Sequence, residues 1–272
     1  MTKLLGMTKL RAVSLNVLAL VLALSPLAAT ARSEGGEMAS AQVDLGDKAS
    51  LQRGAALYMN YCSGCHSLSY QRYSRMADDL GLSKEQVEQN LIFNGARVGE
   101  TMSTGLDTAQ GEKWLGKAPP DLSVVARTKE QGPDWIYNYL KSFYVDEARP
   151  TGWNNTVFPG ASMPHVLWEM QGVQRAVTEP KKAAEGGEFE ACAQGEYQDQ
   201  CITGFSIPET QKGTQDAEQY DRTARDISAF LAYVGEPSAM KRESMGVWVV
   251  LFLAFLTLLT YLLKSEYWRD VH

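Results

Sequence analysis

Cys62-Ser63-Gly64-Cys65-His66 is the stretch that decides how the middle of this chain folds. Two cysteines three positions apart, followed at once by a histidine, form the C-x-x-C-H pattern, which is the attachment signature of a c-type haem. The two thiols can reach the two vinyl groups of one porphyrin, and the histidine can then bind the iron as its proximal ligand. The pattern therefore predicts one covalently bound haem c, with Cys62, Cys65 and His66 as its binding residues.

Two other kinds of site share part of this pattern, and chance alone can also produce it. A thioredoxin-like redox pair uses C-x-x-C but has no need of the histidine. A zinc site needs two further ligands at short spacing, whereas Cys192 and Cys201 are distant in the sequence and lack a histidine partner. The trailing histidine therefore favours the haem.

The first 31 residues are typical of a secretory signal peptide. Lys3 and Arg11 contribute to a positively charged start, residues 12–24 form an apolar region too short to span a bilayer comfortably, and Ala29-Thr30-Ala31 offers a cleavage site. We expect cleavage after Ala31, with an uncleaved anchor as the alternative. Export agrees with the haem prediction, because covalent haem attachment takes place outside the cytoplasm and oxidised cysteines survive there.

The other end carries a stronger apolar run at residues 245–263, with Thr257 and Thr260 as its only small polar residues. This run is long enough for a transmembrane helix, and it lacks the polar stripe that a core helix normally shows. The sequence therefore predicts a periplasmic domain at 32–242, a single span through the bacterial inner membrane and a cytoplasmic tail at 264–272.

Four helices are predicted in the domain between the two ends. Ser50 is a candidate N-cap for a helix that leads into the haem motif, and a capping box at Ser83 opens a second helix through Phe93. Pro133 occupies a first helical position and opens a third, running to Phe143. The fourth runs from Asp216 to Val234 with apolar residues on one face. Alternating runs typical of strands are scarce, so the predicted fold class is mainly α with long loops.

The sixth iron ligand is predicted to be Met163. It lies in Phe158-Pro159-Gly160-Ala161-Ser162-Met163-Pro164, a loop that prolines stiffen on both sides, so it can present a sulfur without a large loss of entropy. His165 is the alternative ligand. Histidine–methionine ligation raises the reduction potential and fills the coordination shell, which favours electron transfer over oxygen or peroxide chemistry.

Three further motifs accompany the haem signature: Gly54-x-x-x-Tyr58, Pro119-Pro120-Asp121-Leu122-Ser123, and Phe158-Pro159-Gly160 with Met163 three residues on. Together with the C-terminal anchor they closely resemble the cytochrome c1 family, the haem-bearing subunits of ubiquinol–cytochrome c oxidoreductases (cytochrome bc1 complexes). The motifs are spread over most of the chain after residue 50.

This resemblance implies a class I cytochrome c fold, in which the first and last helices of the domain cross close to the haem. Gly54 would then lie at the crossing, against Phe230 or Tyr233. The resemblance also implies that Pro120 packs against the haem near the proximal histidine, and that Arg127 is a candidate partner for a haem propionate. Partners implied are cytochrome b, the Rieske iron–sulfur protein as electron donor, and a soluble or membrane-bound cytochrome c as acceptor.

The segment 185–201 departs from the family pattern. Cys192 and Cys201 are predicted to form a disulfide, which would stabilise the fold by roughly 2.7 kcal/mol in the chain-entropy model; two free cysteines are the alternative. The segment carries several acidic residues and no lysine or arginine: Glu185, Glu188, Glu190, Glu196 and Asp199. They form either a docking surface for a basic cytochrome c or a solvated loop.

Two rival functions stay open from the sequence. One is a different tethered monohaem electron carrier with the same ligands. The other is a haem enzyme or gas sensor, which would need an open sixth site. A formal net charge of -6 argues against nucleic-acid binding. We identify no catalytic residue in the chain itself. The cytochrome bc1 complex would be the enzyme, and this subunit would pass electrons from it to the acceptor.

Overall fold

The computed structural model describes residues 38–182 and 191–269 of the chain. The predicted signal peptide, part of the acidic segment and the last three residues of the predicted tail lie outside the described residues.

More of the described residues lie in helices than in strands. The helices are α1 (Lys48–Tyr61), α2 (Tyr73–Leu80), α3 (Lys84–Asn90), α4 (Thr108–Leu115), α5 (Val125–Thr128), α6 (Pro133–Lys141), α7 (Trp168–Gln171), α8 (Ala217–Gly235) and α9 (Ala239–Tyr267). The strands are β1 (Leu68–Arg72), β2 (Thr101–Met102), β3 (Phe143–Val145), β4 (Trp153–Asn155), β5 (Arg175–Pro180), β6 (Glu196–Tyr197) and β7 (Gln200–Ser206).

Helix α1 leads directly into the cysteine motif, as predicted, but its N-cap is Asp47 and not Ser50. The Asp47 carboxylate accepts hydrogen bonds from the backbone amides of Ala49 and Ser50. The Ser50 hydroxyl is buried and donates to Asp226 of α8 at 2.5 Å. The prediction was wrong by one turn, because an acidic residue just upstream satisfies the first amides and releases the serine for a tertiary contact.

Helices α1 and α8 cross at Gly54, and their contact is the centre of the core. A Cβ placed on Gly54 would lie 2.1 Å from the Asp226 carbonyl oxygen and 2.7 Å from Phe230 Cβ. The prediction of a close approach against Phe230 is confirmed. The buried Asp226 carboxylate also receives two hydrogen bonds from Arg53, at 2.6 and 3.0 Å, which fix the crossing on its polar side.

The other predicted helices are confirmed with changes at their ends. The capping box at Ser83 is present, but α3 ends at Asn90, because Leu91 leaves helical geometry and buries its side chain. Pro133 opens α6, which stops at Lys141, and Phe143 lies in β3 opposite Asn155.

Three small antiparallel sheets were not predicted from the sequence. β1 pairs with β2, β3 pairs with β4, and β5, β7 and β6 form a three-stranded sheet in that order. A disulfide between Cys192 and Cys201 is present in the last sheet, as predicted. Of the predicted acidic cluster, Glu196 is described and forms an ion pair with Lys181 at 2.7 Å, whereas Glu185, Glu188 and Glu190 lie outside the described residues.

Helix α9 is long and apolar enough to cross a membrane, and in the described part of the chain it is the one helix that meets both conditions. It is longer than the predicted span of 245–263. The hydroxyls of Thr257 and Thr260 donate to the carbonyls of Leu253 and Leu256 in the same helix. Both hydroxyls are therefore satisfied internally, and the helix can face lipid without an unpaired polar group.

Candidate haem-binding site

The cysteine motif forms a tight turn at the end of α1. The amides of Cys65 and His66 both donate to the Cys62 carbonyl, at 3.1 and 2.9 Å. Cys62 is buried and Cys65 is exposed, and both are free thiols. The turn brings the two cysteines and the histidine together at one site, as the haem motif requires.

The surroundings of Cys62 argue against a thioredoxin-like redox pair. Burial, with Cys65 nearby, raises the pKa of the Cys62 thiol to about 12, whereas a redox dithiol depends on a cysteine whose pKa is lowered. Within residues 38–182 and 191–269, no cluster of three or more His, Cys, Asp or Glu residues suited to a metal occurs.

His66 is held by the Pro120 backbone. Its Nδ1 donates to the Pro120 carbonyl oxygen at 2.7 Å, so Nδ1 carries the proton and Nε2 of the neutral ring has a lone pair available for a metal. Burial lowers the pKa of His66, and the bond to Pro120 opposes part of this shift. The Tyr58 hydroxyl donates to the His66 carbonyl at 2.7 Å and fixes the backbone below the ring.

The Pro119–Ser123 segment is anchored to the chain that follows the motif. The Leu122 amide donates to the Ser67 carbonyl at 2.9 Å, and the Asp121 carboxylate accepts from the amides of Ser69 and Ser123. Burial raises the pKa of Asp121, but the hydrogen bonds from Ser123 and Ser69 outweigh it and hold the pKa below its ordinary value. The carboxylate therefore stays charged, and its hydrogen bonds keep the Pro120 carbonyl in position beside the His66 ring.

Met163 is half-buried and faces helix α6. The Tyr139 hydroxyl donates to Met163 Sδ at 3.6 Å. Three residues of the β3–β4 hairpin hold the methionine loop by its backbone, and sequence reasoning missed all three. Arg149 donates to the Gly160 carbonyl at 2.8 Å, Asn154 accepts from the Gly160 amide, and Asn155 accepts from two amides at the start of the loop.

An aromatic cluster flanks Met163 and carries a cation. Trp135 stacks on Tyr139 at 4.9 Å, and Phe158 meets Trp135 edge-on at 6.4 Å. Lys129 Nζ lies 4.4 Å from the Trp135 ring centre and 5.1 Å from that of Phe158. The position of this lysine could not be predicted from the sequence, because the turn at the end of α5 places it over the two rings.

Arg127 lies apart from this cluster. Its guanidinium forms an ion pair with Glu236 at 3.5 Å, its side chain is 57% exposed, and its stem lies against Gly235 at the end of α8. The predicted pairing of Arg127 with a propionate stays a prediction.

His165, the alternative sixth ligand, is enclosed in the core. It is 2% exposed, stacks on Phe143 with ring centres 5.0 Å apart, and meets Trp153 edge-on. Burial lowers the pKa of His165 to about 4, opposed by Gln171. A ring packed on both sides is a poor candidate for an iron ligand, and this favours the half-buried Met163.

These residues fit a covalently attached haem. The turn after α1 offers two thiols and an imidazole whose tautomer is fixed with Nε2 unprotonated. The loop that carries Met163 offers a thioether, one of whose two lone pairs accepts the hydrogen bond from Tyr139. A soft sulfur with a neutral imidazole is a donor set that suits haem iron.

The comparison with known families identifies the family of this chain. The model of the cytochrome C1 family matches residues 40–176 and 209–271. The chain belongs to the cytochrome c1 family.

Three named relatives are similar to this chain over most of its length. Cytochrome c1 of Allochromatium vinosum is 47% identical over 94% of this chain and 98% of its own length. The ammonia monooxygenase gamma subunit of Nitrosomonas europaea is 38% identical over 95% of this chain and 99% of its own. Cytochrome c1 of Rhodospirillum rubrum is 26% identical over 83% of each chain.

Between its two matched ranges, the family model leaves residues 177–208 of this cytochrome c1 family member unmatched. Within this stretch, the described residues 177–182 and 191–208 include most of the β5–β7–β6 sheet and the Cys192–Cys201 disulfide. Tyr144 of β3 packs against Tyr197 and Phe205 of this sheet, at 5.6 and 6.1 Å between ring centres.

Proposed function

We propose that this protein is the membrane-anchored haem subunit of a quinol-oxidising cytochrome bc1 complex, taking electrons from a Rieske iron–sulfur protein and passing them to a cytochrome c. The observation that carries the proposal is the His66–Pro120 hydrogen bond, which prepares the imidazole of a C-x-x-C-H motif as a metal ligand. It occurs in a chain of the cytochrome c1 family that ends in an apolar helix.

When bound, a haem c would supply a one-electron ferric–ferrous couple. Cys62 and Cys65 would hold it covalently, and His66 Nε2 and Met163 Sδ would bind the iron. With both residues bound, the iron would have no coordination position left for a substrate. The residues therefore favour electron transfer over a haem enzyme or gas sensor. The crossing of α1 and α8 beside the motif supports a class I cytochrome c arrangement.

Two cations are candidates for a propionate partner, Arg127 by family resemblance and Lys129 by its position beside Trp135 and Phe158. Arg127 is already paired with Glu236. Lys129 is the less exposed of the two. A charge pair with a haem propionate would therefore be stronger at Lys129 than at Arg127.

The haem domain would face the periplasm, with α9 crossing the inner membrane among lipids and residues 1–31 acting as the export signal. The Cys192–Cys201 disulfide supports this placement, because disulfides persist in the oxidising periplasm.

Purification in mild detergent tests the proposal. We expect this subunit to co-elute with a cytochrome b and a Rieske protein, and its haem to be reduced when quinol is added to the purified complex. Elution alone would favour the tethered carrier, and co-elution with monooxygenase subunits would favour the role named for the Nitrosomonas relative. Rapid carbon monoxide binding to the reduced protein would support an open sixth site and overturn the ligand assignment.

A further inference from the structure

The Tyr139 hydroxyl donates to the sulfur of Met163, with 3.6 Å between Oη and Sδ. Thioether sulfur is a weak acceptor, so the contact matters only if the donor is held in place.

The ring that carries this hydroxyl is fixed from three directions. It stacks on Trp135 with an interplanar angle of 10° and meets Phe143 edge-on at 4.9 Å. Its backbone carbonyl accepts a hydrogen bond from Asn155 Nδ2 at 2.8 Å. Rotation of the hydroxyl away from the sulfur would break the stack, so the donor position belongs to the fold of α6.

The same asparagine fixes the methionine loop. Asn155 is 1% exposed, and its Oδ1 accepts from the amides of Val157 and Phe158 at 2.9 and 3.0 Å. One buried amide therefore binds both the helix that carries Tyr139 and the loop that carries Met163. The separation of hydroxyl and sulfur is set by this shared scaffold and does not depend on a chance rotamer.

A thioether sulfur has two lone pairs. If Tyr139 uses one and the iron of a bound haem uses the other, the hydrogen bond would withdraw electron density from the Met163 sulfur. Ferric iron depends on that donation more than ferrous iron does, so the hydrogen bond favours the reduced state.

We infer that Tyr139 is a positioning residue that raises the reduction potential of the haem by hydrogen bonding to Met163. This inference rests on the proposed function, because it requires Met163 to bind iron.

The test compares the holoprotein in three forms: wild type, Tyr139→Phe and Tyr137→Phe. Phenylalanine at 139 keeps the contacts with Trp135 and Phe143 and removes only the hydroxyl. Tyr137 is a matched control on the same helix, because its hydroxyl donates to Asp221 of α8.

At the ambient potential that half-reduces the wild type, we expect Tyr139→Phe to show a ratio of reduced to oxidised haem about two- to fivefold lower. Tyr137→Phe should keep the wild-type ratio. All three oxidised proteins should retain the weak red absorption band of thioether-ligated ferric haem.

Equal ratios in all three proteins, with the band present, would overturn the inference and leave the proposed ligands intact. Loss of the band in Tyr139→Phe alone would also overturn it, because the hydroxyl would then be needed for ligation itself. Absence of the band in the wild type would overturn the proposed ligand set, and the inference with it.

Discussion

At His66, a carbonyl 54 residues further along the chain decides which ring nitrogen is available to a metal. A histidine beside C-x-x-C is only a potential ligand until its tautomer is fixed. Pro120 fixes it without a side-chain partner, because a backbone carbonyl can only accept. The anchoring of Asp121 to Ser69 and Ser123 keeps that carbonyl in place.

The residue at position 163 should set both the spectrum and the potential. Met163→Leu removes the thioether while keeping an apolar side chain of similar volume, so we expect the red thioether band to disappear and the potential to fall. Optical spectra and a redox titration of the purified holoprotein measure both.

Met170→Leu is the control for this prediction, since Met170 is a buried methionine in α7 outside the proposed site. It should keep the band and the potential. A wild-type potential in Met163→Leu would refute Met163 as a ligand and reopen the case for His165.

Asp221 should make the stability of the domain depend on pH. Burial raises the pKa of this carboxyl, but hydrogen bonds from Lys141 and Tyr137 and the charges of Lys141 and Arg225 hold it below the ordinary value of 3.8. A group whose pKa is lowered on folding stabilises the protein above its unfolded pKa. That stabilisation is lost as the pH falls through the folded value.

Asp221→Asn should therefore lower the free energy of unfolding by about 1 kcal/mol at neutral pH, and the difference from wild type should shrink in acid. Thermal unfolding followed by circular dichroism across this range measures it. Glu218→Gln is the control, because Glu218 lies on the same helix, is 91% exposed and pairs with Arg222 at 3.8 Å. A difference for Asp221→Asn that does not change with pH would contradict the assignment.

Among the elements, those with local signals could be predicted from the sequence. The capping box at Ser83 and the proline that opens α6 are recognisable within a few residues, and the structure has them. The strands could not be predicted, because β3 and β4 are three residues long and exist only through pairing with each other. The hydrogen bonds by which Asn155 holds the methionine loop were missed for the same reason, because Asn155 lies in β4.

The crossing of α1 and α8 at Gly54 can be tested by the substitution Gly54→Ala. Alanine has a helix propensity about 1 kcal/mol better than glycine, so an isolated helix would gain stability from Gly54→Ala. In the folded domain, the added Cβ would lie 2.1 Å from the Asp226 carbonyl. We expect the clash to dominate and to lower the free energy of unfolding by about 3 kcal/mol or more in chemical denaturation.

Gly99→Ala is the matched change for this experiment, because a Cβ there has nothing within 4 Å. It should shift stability by less than about 0.5 kcal/mol. If Gly54→Ala were stabilising, the two helices could not cross at this residue.

Across the whole molecule, the haem domain and the anchor meet in a single continuous helix. Ala239 is 5% exposed and Met240 packs partly against the core, whereas side chains from Met245 onward are mostly exposed. The first turn of α9 therefore packs with the haem domain. The predicted boundary between the domain and the membrane span, between residues 242 and 245, stays a prediction.

Ending the chain after Arg242 should release a water-soluble haem domain with the spectrum and melting temperature of the full protein. Ending it after Ser238 removes Ala239 and Met240 as well, and should lower the free energy of unfolding by about 1 to 3 kcal/mol through lost burial. Fractionation of membranes and thermal unfolding of the two truncated holoproteins measure these effects.

If the form that ends at Arg242 stayed with the membrane, a second anchor would have to hold it. The uncleaved N-terminal segment would be the candidate, since its apolar stretch is the other hydrophobic run that the sequence contains. Equal melting temperatures for both truncations would instead mean that the first turn of α9 adds nothing to the core, contrary to the burial of Ala239.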